Sequence, residues 1–167
     1  QHQDKTIERM AEEEVVLLLQ DTTTINYQTH LNTEGLGPIG SSKGPQGIIM
    51  HSLLAVTPEL KPLGMLDFST WVRSSFGPAE KKKSEARRLE RESLKWVESL
   101  ELGSFKAQEQ LLGFKTKLVT ISDRESDLNE YLGMAYENKC DVIVRAMSRR
   151  LDFTNDLPIK ESIFSSR

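Results

Sequence analysis

Five apolar residues, Val15-Val16-Leu17-Leu18-Leu19, decide the fold of this 167-residue chain. They form its longest apolar run, and the polar pair Gln20-Asp21 follows them directly. A continuous apolar run of this length is typical of a strand that is buried on both faces of a sheet. We therefore predict a central strand that begins at Val15 and ends at Gln20-Asp21.

A hairpin is predicted after this strand. The region Thr33–Gly47 holds five glycines and two prolines, which indicates a loop. Two apolar, partly alternating runs follow, Ile48–Val56 and Leu63–Val72, with the turn Thr57–Pro62 between them. Alternating runs separated by such a turn favour two antiparallel strands. Before the first strand, the polar segment Asp4–Glu14 is predicted to be a short helix.

Helix–strand units follow the hairpin. From Ser84 the chain is rich in helix-forming residues, and Leu89, Trp96 and Leu100 fall on one face at helical spacing. Gly103 is expected to end or bend this helix. The remaining elements are predicted to be a strand at Leu118–Ile121, a helix at Ser126–Lys139 and a strand at Asp141–Met147.

The order of these elements indicates the fold class. Three strands linked by hairpins and followed by helix–strand units favour an α/β fold, with a mixed five-stranded sheet and flanking helices. This succession fits a ribonuclease-H-like (retroviral-integrase-like) fold better than a fully alternating, doubly wound one. The predicted organisation is a lead-in helix over residues 1–14, the core over 15–151, and an irregular segment over 152–167.

Two aspartates stand beside predicted strand ends. Asp21 follows the first strand, and Asp123 follows the strand at Leu118–Ile121, about a hundred residues later. Functional sites of open α/β sheets form outside the carboxyl ends of the strands, so both carboxylates converge if the strands are neighbours. Mg²⁺ suits such a pair, because it binds through one or two carboxylates and substrate phosphate. Either aspartate alone also fits a turn cap, and Ser122 with Glu125 fits a helix capping box.

Composition and charge limit the classes of function. A hydrophobic fraction of 37% and a charged fraction of 28% are typical of a soluble globular protein, and no apolar run is long enough to cross a membrane. The single cysteine, Cys140, points weakly to a reducing cytoplasm. A net charge of −3 argues against binding of nucleic acid. The segment from Trp71 to Lys95 weakens that argument, because it holds eight Lys or Arg against four Glu.

An ordered set of short motifs resembles one enzyme family. The chain is similar, from about Val15 to Arg150, to the catalytic domain of DDE transposases of bacterial insertion sequences, and most similar to the insertion-sequence-four family. The motifs that carry the resemblance are Leu18-Leu19-Gln20-Asp21-Thr22-Thr23-Thr24, Gly35-Leu36-Gly37-Pro38-Ile39-Gly40, Met50-His51-Ser52-Leu53-Leu54, Glu92-Ser93-Leu94-Lys95-Trp96, Ser122-Asp123-Arg124-Glu125-Ser126-Asp127 and Val142-Ile143-Val144-Arg145.

The resemblance implies an activity and a set of roles. Asp21 corresponds to the family's first catalytic, metal-binding aspartate and Asp123 to its second, with Mg²⁺ as cofactor and Mn²⁺ as substitute. The implied partner is double-stranded DNA (transposon ends and target), bound by a homodimer in a synaptic complex in a bacterial cytoplasm. Arg145 resembles a basic residue near the bound transposon end. The expected DNA-binding residues are Arg145, Arg149, Arg150, Lys81, Lys82 and Lys83.

The chain also departs from the family pattern. The family's catalytic glutamate lies in a Tyr-x-x-Arg-x-x-x-Glu pattern on a later helix, and no such pattern follows Arg145. Glu161 lies too close to the last predicted strand to replace it. The family's N-terminal region that recognises transposon ends is also missing. We therefore expect a catalytic-core fragment that is inactive by itself.

Other functions remain open. A non-catalytic transposase remnant that binds DNA or a partner is the main alternative. A phosphatase of the haloacid-dehalogenase type is disfavoured, because Thr23 occupies the position where that family needs a second aspartate. The loop Gly35–Lys43 does not match a phosphate-binding loop. Ser41 stands where lysine should follow the second glycine, and a strand is predicted after the loop where a helix is needed. His51, in an apolar strand, is expected to be a core residue, as are Trp71 and Trp96.

Overall fold

The computed structural model describes residues 2–30, 32–40, 44–73 and 93–147, and the single residues 151, 158 and 161. Six strands and four α-helices lie in these ranges, and a π-helical segment joins the second helix to the third. The elements are α1 (His2–Met10), β1 (Val15–Asn26), β2 (Gly37–Pro38), β3 (Gln46–Val56), β4 (Pro62–Trp71), α2 (93–99), the π-helical segment (Leu100–Phe105), α3 (Lys106–Gln110), β5 (Lys117–Ser122), a 3₁₀ turn (Arg124–Ser126), α4 (Asn129–Glu137) and β6 (Asp141–Val144).

All six strands belong to one mixed sheet. Strands β1, β5 and β6 are parallel neighbours, whereas β3 is antiparallel to β1. The other side of β3 pairs with β4 and, beside its first residues, with the short strand β2. The predicted α/β class, the mixed sheet and the β3–β4 hairpin are therefore confirmed. The sheet has one strand more than predicted, because residues of the glycine-rich loop form β2.

The first strand is longer than predicted. Its expected end at Gln20-Asp21 is wrong, because β1 continues to Asn26. The added residues pair antiparallel with β3, from Asp21 opposite Ser52 to Asn26 opposite Gly47. Thr22, Thr23, Thr24 and Ile25 are β-branched, and such residues favour strands. Burial also alternates along β1, so one of its faces is more deeply covered than the other.

The helices differ from prediction at their ends. The predicted helix start at Ser84 lies outside the described residues, and the described part does not end at Gly103. The helix instead widens into a π-helical segment and continues as α3. A Cβ on Gly103 would lie 2.2 Å from Cδ2 of Leu53, so glycine allows this segment to approach β3 closely. The predicted helix at Ser126–Lys139 is confined to Asn129–Glu137.

The buried apolar residues form two clusters. The first, here called the aliphatic cluster, lies where α1 and α3 meet the middle of the sheet. Its buried members are Met10, Val16, Leu18, Leu53, Ala55, Leu63, Leu66, Ala107 and Leu111. The second, here called the site-side cluster, lies beneath α2 and α4, and its buried members are Trp96, Leu100, Tyr131 and Ala135.

Helix α1 covers part of an exposed sheet edge. Among the described residues, β3 is the strand that pairs with β4, and the other side of β4 faces no strand there. The side chains of Gln3, Thr6 and Arg9 bond to backbone carbonyls of Leu66, Met65 and Leu63, respectively. Covering an edge in this way prevents it from pairing with another chain. No helix within the described residues is long and apolar enough to cross a membrane.

Candidate active site

The two aspartates lie just beyond the end of a parallel ladder. Strands β1 and β5 pair from Val15 opposite Lys117 to Gln20 opposite Ser122. The next residue along β1 is Asp21, and the next along β5 is Asp123. Neighbouring strands lie roughly 4.8 Å apart, so this register brings the two residues side by side. Asp21 is exposed and Asp123 is partly exposed, so both carboxylates can reach a ligand in solvent.

Asp21 occupies a different local position from the predicted one. It does not end a strand, since β1 continues past it, but it marks the point where β1 loses its parallel neighbour. From here on, the pairing on the β5 side is absent while the antiparallel pairing with β3 continues. The carboxyl end of β5, and not that of β1, therefore defines the candidate active site.

Arg145 joins the same edge of the sheet. Strands β5 and β6 pair up to Ser122 opposite Val144, and Arg145 is the next residue along β6. Its backbone N–H donates to the carbonyl of Ser122 at 3.3 Å. The side chain is exposed. Asp21, Asp123 and Arg145 thus occupy equivalent backbone positions, each one residue past the last pair of the β1–β5 or β5–β6 ladder.

The loop after β5 is held by its own side chains. Asp123 is the N-cap of the 3₁₀ turn, and its carboxylate accepts a hydrogen bond from the backbone N–H of Arg124. The hydroxyl of Ser126 donates to the carbonyl of Asp123 at 2.7 Å. The predicted capping box from Ser122 to Glu125 is wrong, because Asp123 caps the turn. Ser122 is the last residue of β5 and its side chain points into the protein, where it is buried.

A buried polar network lies directly beneath the two aspartates. The hydroxyl of Tyr131, on α4, donates to Oε1 of Gln20 at 3.0 Å. Oγ of Ser122 lies 3.4 Å from that hydroxyl and 2.7 Å from Oγ of Ser126. Nε2 of Gln20 donates to the carbonyl of Trp96 at 2.8 Å. The residues immediately before Asp21 and Asp123 therefore share one network that also holds α2 and α4.

A lysine packed between two indole rings forms a second connection. Nζ of Lys95 lies 5.7 Å from the ring centre of Trp71 and 5.4 Å from that of Trp96. It also lies 3.3 Å from Oε2 of Glu125, in the loop after Asp123. The lysine side chain is 8% exposed and the glutamate side chain 62%. The predicted core role is confirmed for Trp96, whereas Trp71 is partly exposed.

His51 is a buried core residue, as predicted. Its ring packs edge-on against Trp96, with ring centres 4.7 Å apart, and its Nδ1 lies 2.7 Å from the hydroxyl of Thr22. Burial, with a smaller contribution from the Lys95 charge, lowers the pKa of His51 to about 4. The imidazole is therefore neutral near pH 7. Thr22 follows Asp21 directly, so this contact also supports the candidate site.

The carboxylates fit a magnesium site only in part. Two carboxylates satisfy what Mg²⁺ needs from a protein when water and substrate phosphate supply the other ligands. One oxygen of Asp123 is engaged by the backbone of Arg124, which orients the other. Within the described residues, no group of three or more His, Cys, Asp or Glu side chains could hold a metal ion. A third carboxylate ligand is therefore not assembled by this part of the chain.

Several expected DNA-binding residues lie outside the described residues. Arg145 is described, whereas the remaining ones, Arg149, Arg150, Lys81, Lys82 and Lys83, are not. Sequence reasoning missed Gln20, Tyr131 and Asp127 as supports of the site. The carboxylate of Asp127 accepts from the backbone N–H of Met147 at 2.7 Å and so holds the segment after β6. One signal was available for Gln20: a polar residue in the buried phase of a strand, two positions after Leu18, needs a partner inside the protein.

Comparisons with known proteins add no identification. No protein-family model matches the chain, and no curated protein matches it.

Proposed function

We propose that this chain is the catalytic core of a DNA transposase, which carries out metal-dependent phosphodiester hydrolysis and strand transfer at transposon ends. One observation carries the proposal: Asp21 and Asp123 directly follow the last pair of the β1–β5 parallel ladder. The sequence motifs that resemble the DDE family contain the same two residues. The strand register thus supports the pair of residues to which the resemblance points.

The sheet supports the finer part of the proposal, a ribonuclease-H-like fold. Three antiparallel strands, β1, β3 and β4, are followed by helical segments and β5, and then by α4 and β6. The last two strands add in parallel on the open side of β1. This is the arrangement of hairpin followed by helix–strand units from which the fold was inferred. It also explains why residues a hundred positions apart in sequence become neighbours.

The residues of the site have distinct roles in this proposal. Asp21 and Asp123 would hold Mg²⁺, or Mn²⁺ in its place, and the bound metal would supply activation of the attacking oxygen and stabilisation of the leaving one. Arg145 presents a guanidinium group beside the carboxylates, where it binds a DNA phosphate through charge-assisted hydrogen bonds. The cation on the third strand thus places the phosphodiester next to the acidic pair. Double-stranded DNA is the proposed partner, bound by two copies of the protein when transposon ends are paired.

A second candidate function is binding of DNA or a partner without catalysis. The observation in its favour is that the described residues contain no group of three or more His, Cys, Asp or Glu side chains that could hold a metal ion. In-line phosphoryl displacement with two metal ions needs both ions in fixed positions, and a displacement of about 1 Å can cost roughly a hundredfold in rate. On either candidate, we expect the 167-residue chain by itself to cleave DNA at no measurable rate.

Calorimetry with Mn²⁺ separates the two candidates. The wild-type chain should bind Mn²⁺ weakly, and Asp21→Asn or Asp123→Asn should abolish the binding while the circular dichroism spectrum is unchanged. Asp141→Asn is the matched control, because Asp141 is exposed at the opposite end of the parallel strands. Equal binding by the wild type and Asp21→Asn would exclude the metal site and leave the non-catalytic candidate.

A nicking assay tests the third ligand. The chain is incubated with Mn²⁺ and either transposon-end or random duplexes, and no cleavage is expected. Cleavage that depends on Asp123 would show that a third ligand lies within the chain. In the same samples, Arg145→Gln should weaken DNA binding and reduce its dependence on salt, because one phosphate contact is lost.

A further inference from the structure

The last pair of the β1–β5 ladder consists of two buried polar residues, Gln20 and Ser122. Gln20 is 3% exposed and Ser122 is 6% exposed, and both side chains point to the helix-covered face of the sheet. Polar groups buried in this way are costly unless they are hydrogen-bonded. Beyond this pair, no ladder bond joins β1 to β5. The spacing of Asp21 and Asp123 therefore depends on how firmly this last pair is held.

Tyr131 meets both members of the pair. Its hydroxyl donates to Oε1 of Gln20 at 3.0 Å and lies 3.4 Å from Oγ of Ser122. Three hydroxyl hydrogens, those of Tyr131, Ser122 and Ser126, serve four contacts in this network. Because Ser126 donates to the Asp123 carbonyl, Ser122 divides its hydrogen between the near Ser126 oxygen and the more distant Tyr131 oxygen. Tyr131, in contrast, donates its own hydrogen to Gln20 alone, so this bond links α4 directly to β1.

The tyrosine is suited to a fixed donor role. Its side chain is fully buried, and its ring packs in the site-side cluster with Trp96 and Leu100. Burial, which outweighs the opposing hydrogen bond from Ser122, raises the pKa of Tyr131 to about 12. The hydroxyl therefore keeps its proton throughout the range in which the protein would work. Being inaccessible, it cannot touch DNA or a metal ion.

We propose that Tyr131 is a positioning residue. Its hydroxyl contacts both Gln20 and Ser122, and through these contacts it sets the separation of the Asp21 and Asp123 carboxylates. The inference rests on the proposed function, because it gives the acidic pair a metal to hold. It goes beyond that function by assigning a role to a residue that is eight positions from Asp123 and buried under the sheet. The side chain of Gln20 is fixed at its other end as well, since Nε2 donates to the backbone of α2.

Mn²⁺ binding by matched tyrosine variants tests the inference. Tyr131→Phe removes one oxygen and keeps the ring, and it should weaken Mn²⁺ binding roughly tenfold, the lower end of the usual effect of losing an outer partner of a metal ligand. Tyr136→Phe is the control, because Tyr136 is on the same helix and 87% exposed. It should bind Mn²⁺ as the wild type does. All titrations are run on the full chain at a temperature at which circular dichroism shows each variant folded.

A second variant tests the same hydrogen bond from its other end. Gln20→Met keeps the length of the side chain and removes the acceptor. If Tyr131 acts through Gln20, the double variant should lose little more Mn²⁺ affinity than the weaker-binding single variant. Fully additive losses of Mn²⁺ affinity would overturn the inference, because the two residues would then act separately. If one of the single variants does not fold, the other still tests the inference by comparison with the wild type, since it removes the same bond.

The outcomes for the inference and for the proposed function are distinct. Mn²⁺ binding that Asp21→Asn abolishes and Tyr131→Phe leaves unchanged would overturn the inference and preserve the function. A lower melting temperature for Tyr131→Phe with unchanged Mn²⁺ affinity would also overturn it, because a purely structural role predicts that result. Absence of Mn²⁺ binding by the wild type would overturn the function, and the inference with it.

Discussion

The two apolar clusters of this protein differ in the kinds of side chain that form them. The aliphatic cluster consists of Met, Val, Leu and Ala side chains between α1, α3 and the middle of the sheet. The site-side cluster contains two aromatic residues, Trp96 and Tyr131, and is bordered by buried polar side chains of Gln20, His51, Lys95 and Ser122. The site-side cluster lies directly beneath the candidate active site, whereas the aliphatic cluster extends from Leu53, opposite Gln20, away from the site towards α1.

The difference shows where stability and geometry are decided. Aliphatic burial is non-directional and scales with area, so the first cluster stabilises the sheet without specifying the position of any one group. Hydrogen bonds in a low-dielectric interior are directional, and a satisfied network rigidifies its surroundings. The second cluster therefore contributes to the placement of Asp21 and Asp123, in addition to the apolar area that its aromatic rings bury. Mutations in the two clusters should separate these effects.

The largest effect is expected for truncation in the aliphatic cluster. Leu63→Ala removes a buried side chain, 5% exposed, from the strand that α1 covers, and it should lower the free energy of unfolding by about 2–5 kcal/mol. Urea denaturation measures this loss. Mn²⁺ affinity of the folded fraction should not change. Leu112→Ala, at a leucine that is 77% exposed, is the matched control and should stay within about 0.5 kcal/mol of wild type. A large fall in Mn²⁺ affinity for Leu63→Ala would contradict the distinction between the clusters.

A pH-dependent effect of intermediate size is expected at His51. Its pKa is about 4 in the folded protein against an ordinary histidine value of 6.5, so between these values the unfolded chain binds the proton and the folded chain does not. Stability contributed by the neutral imidazole is thus complete above pH 6.5 and is lost as the pH falls towards 4, by about 3 kcal/mol in total.

Denaturation between pH 7 and pH 4.5 measures this contribution. His51→Asn, which keeps a polar group near the Thr22 hydroxyl, should flatten the pH dependence of the unfolding free energy. The exposed residue His30 offers a control, since His30→Asn should leave the slope as in the wild type. An unchanged slope for His51→Asn would show that His51 is not the residue responsible.

The smallest change in stability is expected for Lys95→Met. Methionine keeps the packing against Trp71 and Trp96 and removes the charge, and replacement of a buried ion by an apolar group is often close to neutral, here within about 1 kcal/mol. The pKa of His51 should rise, because the Lys95 charge is one of the two causes that lower it. NMR titration of the imidazole measures this shift. Lys5→Met, on the exposed face of α1, should leave the pKa of His51 unchanged, and an unchanged value in Lys95→Met as well would exclude the coupling.

Local sequence patterns determined the elements of the sheet. The run Val15–Leu19, the alternating run Ile48–Val56 and the apolar segment Leu118–Ile121 all lie in strands, as predicted, and so does the run Leu63–Val72 except for Val72 itself. Such patterns are reliable because burial of one face imposes a period of two on the side chains. The buried state of His51 and Trp96 followed from the same reasoning, since both lie in apolar surroundings in the sequence. The placement of Asp21 and Asp123 beside strands was also available from sequence.

The tertiary structure alone decided the end of β1 and the support of the site. Whether a strand continues past Asp21 depends on whether β3 offers a partner there, and local propensity carries no information about that partner. The hydrogen bond from Tyr131 to Gln20 joins residues 111 positions apart, and the register of β1 on β5 joins residues about a hundred apart. Propensity and periodicity act over a few residues, whereas these contacts are selected by the packing of whole elements. The sequence therefore determined where the main strands lie and which residues are acidic, and the fold determined how far β1 extends and which residues meet.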